Sequence, residues 1–235
     1  MKTQKILFTL ALLVFIVFNA QAQSFDCDAS SWHKKAIMTC GMVKSTNPDT
    51  LLINKNLAEL EAEFQILFNK YYDNPSEEYA KDVNWNFYLL TLKENLTVVK
   101  ERVEEKNYKA ASVFCPYFCT TFGKIHKING TTDLTDLMFA WRAELKNTTE
   151  MFNVGNLKGA SQNSKQLENL YQKVVEFKST NNNPSFNELF NPLDKIYSVW
   201  ISALKDGNAS ALNETFSNFM KTFPKTYLST LNTNQ

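Results

Sequence analysis

The chain has 235 residues, with 25 Lys and Arg against 24 Asp and Glu, two His, four Cys, and only six Gly and six Pro. A formal charge of +1 without a basic stripe excludes binding to nucleic acid by phosphate neutralisation. Scarce Gly and Pro exclude a turn-rich β sandwich, and the length suffices for one large core or two small ones.

Residues 1–22 read as a cleaved signal peptide. Lys2 and Lys5 form the positive start, Ile6 to Phe18 an apolar run too short to span a bilayer, and Asn19-Ala20-Gln21-Ala22 a small-residue cleavage site. The expectation is a secreted or periplasmic protein with no integral membrane span after cleavage. Cleavage removes two Lys and leaves 23 basic against 24 acidic residues. Five Asn-x-Ser/Thr sequons, at Asn95, Asn129, Asn147, Asn208 and Asn213, are about what this Asn-, Ser- and Thr-rich composition produces by chance, so they decide nothing.

The remaining chain has helical spacing almost throughout. A short helix is expected near Ser30–Val43, followed by helices at about 50–72, 83–105 and 108–127. Four more are expected at about 133–152, 157–178, 186–205 and 209–230. The stripes Leu57, Leu60, Phe64, Leu67, Tyr71 and Leu89, Leu92, Leu96, Val99, Val103 step by three and four. Turn and cap signals separate the helices at N-P-D, D-N-P-S, I-N-G-T-T-D, N-V-G-N, N-N-N-P-S and D-G-N.

The two halves repeat. A shift of 101 positions lays residues 89–126 on 190–227 without a gap, pairing Leu89 with Phe190, Val99 with Trp200, Phe118 with Phe219 and Phe122 with Phe223. The turn Glu105-Lys106-Asn107 falls on Asp206-Gly207-Asn208. Short turns between long amphipathic helices make neighbours antiparallel. The reading is all-α: two tandem antiparallel four-helix bundles, residues 23–129 with all four Cys and residues 130–235. A helical-hairpin solenoid is the alternative.

The motif with most chemistry is C-P-Y-F-C, Cys115 to Cys119. One residue too many and a helical context set it apart from a thioredoxin-type C-x-x-C. The hairpins at 89–126 and 190–227 resemble the last two helices of cytochrome c-prime-like four-helix bundles, in which a short turn leads to a helix ending C-x-x-C-H. That resemblance implies a haem-binding bundle. Here Thr120 follows Cys119, and Met220 and Phe223 stand in the second half, so covalent attachment is not available.

In an exported protein four Cys read first as disulfides. The candidates are Cys27, Cys40, Cys115 and Cys119, with Cys40 joined to Cys115 or Cys119 and Cys27 to the other. The competing reading is a soft copper site, or a non-covalent haem site, built from Met38, Cys40, Met42, Cys115, Cys119 and His126. Catalytic inventories fail: the chain lacks Glu-x-x-His, H-E-x-x-H, G-x-S-x-G and a Gly-rich phosphate loop. The expectation is therefore a non-enzymatic binding or interaction protein without a cofactor, its partner a protein or small molecule, stabilised by disulfides.

Overall fold

A computed structural model describes residues 24–231 apart from residue 182; the signal-peptide reading of residues 1–22 lies outside these residues. The described chain is all-α, with no strand among the described residues. Among the described residues nine α-helices follow one another: α1 Phe25–Val43, α2 Thr50–Tyr71, α3 Trp85–Glu104, α4 Tyr108–Phe114, α5 Pro116–Asn129, α6 Leu134–Asn153, α7 Leu157–Asn181, α8 Pro184–Lys205 and α9 Ala209–Thr230. A 3₁₀ turn, Glu77–Tyr79, lies between α2 and α3. No described helix is long and apolar enough to cross a membrane.

Two helix boundaries differ from expectation. The first helix begins at Phe25 rather than near Ser30, because Ser24 caps it by accepting from the Cys27 N–H and Asp26 and Asp28 occupy its first turn. The expected single helix at 108–127 is two. Pro116 has no N–H to donate back and takes the first position of a new helix, so the axis breaks at Cys115.

The helices gather around two hydrophobic clusters. In the first, from α1 to α5, the Phe25 ring meets Tyr71, Trp85 and Phe122 with centroids 5.3, 4.8 and 5.9 Å apart. Buried indole donors are satisfied there: Trp32 donates to the Leu60 carbonyl and Trp85 to the Tyr71 carbonyl. In the second, from α6 to α9, Trp141 lies against Tyr171, Phe190, Tyr197 and Phe219. The clusters abut, since Cys119 of α5 belongs to the second and Ile37 of α1 packs against it.

Positions paired by the 101-residue shift share burial. Leu89 and Phe190, Leu92 and Leu193, Phe118 and Phe219, Phe122 and Phe223 are all buried. The turns agree too. Lys106 and Gly207 both take positive φ, 58° and 66°, and the next residues, Asn107 and Asn208, each cap the following helix by accepting an N–H at 3.1 Å. Left-handed backbone suits Gly and strains a Lys, so the second half carries the better turn residue at this position.

Candidate functional site

Among the predicted site residues the fold brings Cys40 and Cys115 into bonding range. They form a disulfide with Cα atoms 5.6 Å apart across 75 residues. The second expected bridge does not form, and Cys119 is a buried free thiol. The reason is axial. α1 and α5 run antiparallel, since Cys40 meets Cys115 while Asp26 meets His126. Cys119 is one helical turn, about 6 Å, from the bridge; Cys27 is 13 positions from Cys40, roughly 20 Å along the same axis. The remaining gap of roughly 14 Å exceeds the ~7 Å limit for a disulfide. Burial raises the Cys119 pKa, against a hydrogen bond with Tyr227 that lowers it, so this sulfur stays a thiol.

The soft-metal set is scattered in the same way. Met38 is 46% exposed, Cys40 and Cys115 are consumed by the disulfide, and Met42 Sδ accepts from Asn56 at 3.5 Å. Cys119 faces the second core. His126 alone enters a polar cluster, and its neighbours are carboxylates rather than sulfurs.

That cluster lines a chamber of about 20 Å³ where the two cores meet. Asp26, Ser30 and His33 enter from one face of α1, at positions i, i+4 and i+7. Phe122 and His126 come from α5, and Asp133, Thr135 and Asp136 from the start of α6. The local sequence explains the last group. Gly130, at φ 74°, ends α5, and Asp133 opens α6 through a capping box with Asp136. The same turn that starts the second half thus aims two carboxylates back at α5.

His126 sits between charges. Its Nδ1 is 2.7 Å from Asp136 Oδ2 and its Nε2 is 3.2 Å from Asp26 Oδ1. Burial by itself would lower its pKa, but the hydrogen bonds to Asp136 and Asp26 overcome that and raise it to about 10. Tyr79 donates to the other Asp26 oxygen at 2.6 Å. His33 behaves oppositely. Burial, reinforced by the charge of His126, drives its pKa to about 3, and its ring stacks on Phe122 with centroids 4.2 Å apart. Among the described residues, His33 Nε2 and Thr135 Oγ1 are buried with no hydrogen-bond partner. Of these residues only His126 was a sequence candidate. Asp133 read only as the end of the I-N-G-T-T-D turn and cap signal, and nothing local joined it or Asp136 to Asp26.

A second feature shares no lining residue with the chamber. A groove of about 180 Å³ between α3 and the α4–α5 break is lined by Thr91, Glu94, Asn95, Val98, Phe114 and Tyr117. Exposed Phe87 lies one turn before Thr91 on α3, and exposed Val113 precedes Phe114 at the end of α4. Asn95 lines the groove and is 7% exposed, and its Nδ2 is buried with no hydrogen-bond partner among the described residues. That burial leaves no room for a glycan on this sequon side chain in the folded protein.

Comparison with protein-family models, curated proteins and solved structures gives no match.

Proposed function

We propose that this is a non-enzymatic helical binding protein that works outside the cytoplasm and seats a short apolar segment of a partner protein in the α3/α4–α5 groove. The observation that carries this reading is Asn95. A buried amide donor left unpaired reduces stability by roughly 1–3 kcal/mol, and rotation of the Asn95 amide into the groove, which its side chain lines, lets a partner's acceptor recover that loss. A peptide backbone carbonyl, flanked by an aromatic or aliphatic side chain, supplies both chemistries that the groove lacks. The volume also favours a side chain: cofactor and drug pockets start near 300 Å³. The Cys40–Cys115 pair supports an oxidising compartment, as the leader-like residues 1–22 do.

Panning the oxidised full-length mature protein against a displayed peptide library tests this. Peptides carrying a large apolar residue are expected to be enriched, with affinity lost at least tenfold on Val98→Lys, which places a charge in the groove wall. No enrichment, or peptides that bind Val98→Lys equally well, would remove the groove from the account. Self-association of the protein through this face, seen by light scattering and abolished by Val98→Lys, would replace the partner segment with a second copy.

A further inference from the structure

We propose that the chamber between the two cores is a divalent-cation site with His126, Asp133 and Asp136 as its protein ligands. One ligand atom from each of these residues lies within 4.8 Å of the other two, the spacing of groups that share an ion. Two independent observations separate this from an ordinary acidic cluster. His33 and Thr135, 5% and 3% exposed, line the same chamber, and His33 Nε2 and Thr135 Oγ1 are buried with no hydrogen-bond partner among the described residues. The chamber itself, at about 20 Å³, exceeds the ~10–15 Å³ needed for one water-sized occupant and excludes any organic ligand.

The surroundings are those of a metal-bound imidazole. When His126 gives Nδ1 to the ion, its Nε2–H points at Asp26 Oδ1, and Asp26 is held in turn by the Tyr79 hydroxyl. A carboxylate on the far nitrogen fixes the tautomer and ring orientation of a metal-ligating His. The ion takes the position of the proton between His126 and Asp136, and the proton leaves to solvent. Three carboxylates around one imidazole favour a dication over a water molecule. The donor set is nitrogen and oxygen without sulfur, which suits Zn²⁺ or Mn²⁺ and disfavours Cu(I). An ion here bridges α5 to α6 and so ties the first core to the second.

The test uses the full mature chain, stripped with EDTA and dialysed, then titrated with Zn²⁺, Mn²⁺ and Co²⁺ by calorimetry and followed by thermal melting. The expected result is one saturable site for at least one ion and a Tm raised by about 5 °C at saturation. Asp133→Asn keeps an oxygen for the helix cap but removes a charged ligand, and it should weaken binding at least tenfold. Asp194→Asn, on α8 beside Tyr171, should bind as the parent does. No saturable binding by the parent below 100 µM (on the order of the weakest useful site) would overturn the proposal and leave a water in the chamber. Equal affinity of parent and Asp133→Asn would overturn the ligand assignment.

Discussion

Replacing Cys40 and Cys115 together by Ala is expected to lower the stability of the first core by about 4.5 kcal/mol, the chain entropy released when a 75-residue cross-link is removed. Both sulfurs are buried, 7% and 5% exposed, so the lost contacts add to the effect. Differential scanning calorimetry should show a Tm lower by at least about 10 °C for a unit of this size. The second core lies outside the cross-linked loop and should keep its transition. The chain would then melt in two steps instead of one. Reductant on the parent protein should reproduce the double variant, because Cys119 is already a thiol. A shift under about 3 °C on both treatments would mean that the unfolded chain gains little freedom when the bridge opens.

The second large effect is at His126. In chelator-treated protein, His126→Leu leaves the Asp26 and Asp136 carboxylates at the chamber without the imidazolium between them, and breaking such a buried pair destabilises by about 3 kcal/mol or more. The pH dependence has a definite sign. The folded pKa, about 10, lies above the unfolded value near 6.5. The stabilisation is therefore complete below pH ~6.5 and lost as pH rises towards 10, at up to ~1.4 kcal/mol per unit. His33 has the opposite sign: its folded pKa of about 3 gives stability that is present above pH ~6.5 and lost on acidification. Asp26, Asp133, Asp136 and Tyr79 are the other ionisable groups at the site. The parent should be most stable near pH 6.5, with His126→Leu flattening the alkaline limb in urea titrations. An unchanged alkaline limb would show that His126 does not carry its charge between the two carboxylates.

Much of the fold is written locally. The stripes Leu57–Tyr71 and Leu89–Val103 carry their own helical period, and Asp49, Asn183 and Asn208 cap α2, α8 and α9, so α2, α3, α8 and α9 are readable residue by residue. Phe25 escaped this logic because Asp26 and Asp28 mark the first turn by charge rather than by an apolar repeat. The α4–α5 break was visible as Pro116 but not its consequence, since a Pro can also be absorbed, as Pro192 and Pro224 are inside α8 and α9.

The sites were less legible than the helices. The chamber joins Asp26 to His126 across 100 residues, and a contact of that separation leaves no trace in spacing. The cysteine pairing shows how strongly axial position decides chemistry. Cys115 and Cys119 look equivalent in the sequence, yet one helical turn gives the first to the disulfide and the second to the other core. The groove was hidden for a different reason. Phe87, Leu90 and Tyr117 fall off the core stripe, and single exposed apolar residues are ordinary on any helix. Only the packed pair of walls, with Asn95 between them, makes them a surface.

That residue offers the most direct test of the binding function. Asn95→Leu keeps the branched side-chain shape and heavy-atom count and removes the unpaired donor, so the free protein should melt at a higher temperature, with a gain of about 1 kcal/mol. The same variant should bind a peptide selected against the parent at least tenfold more weakly by isothermal titration, because the peptide carbonyl loses its donor. Stability and binding moving in opposite directions is the result this account predicts. A lower Tm with unchanged affinity would show that Asn95 is an ordinary core residue and that the groove is not the recognition surface.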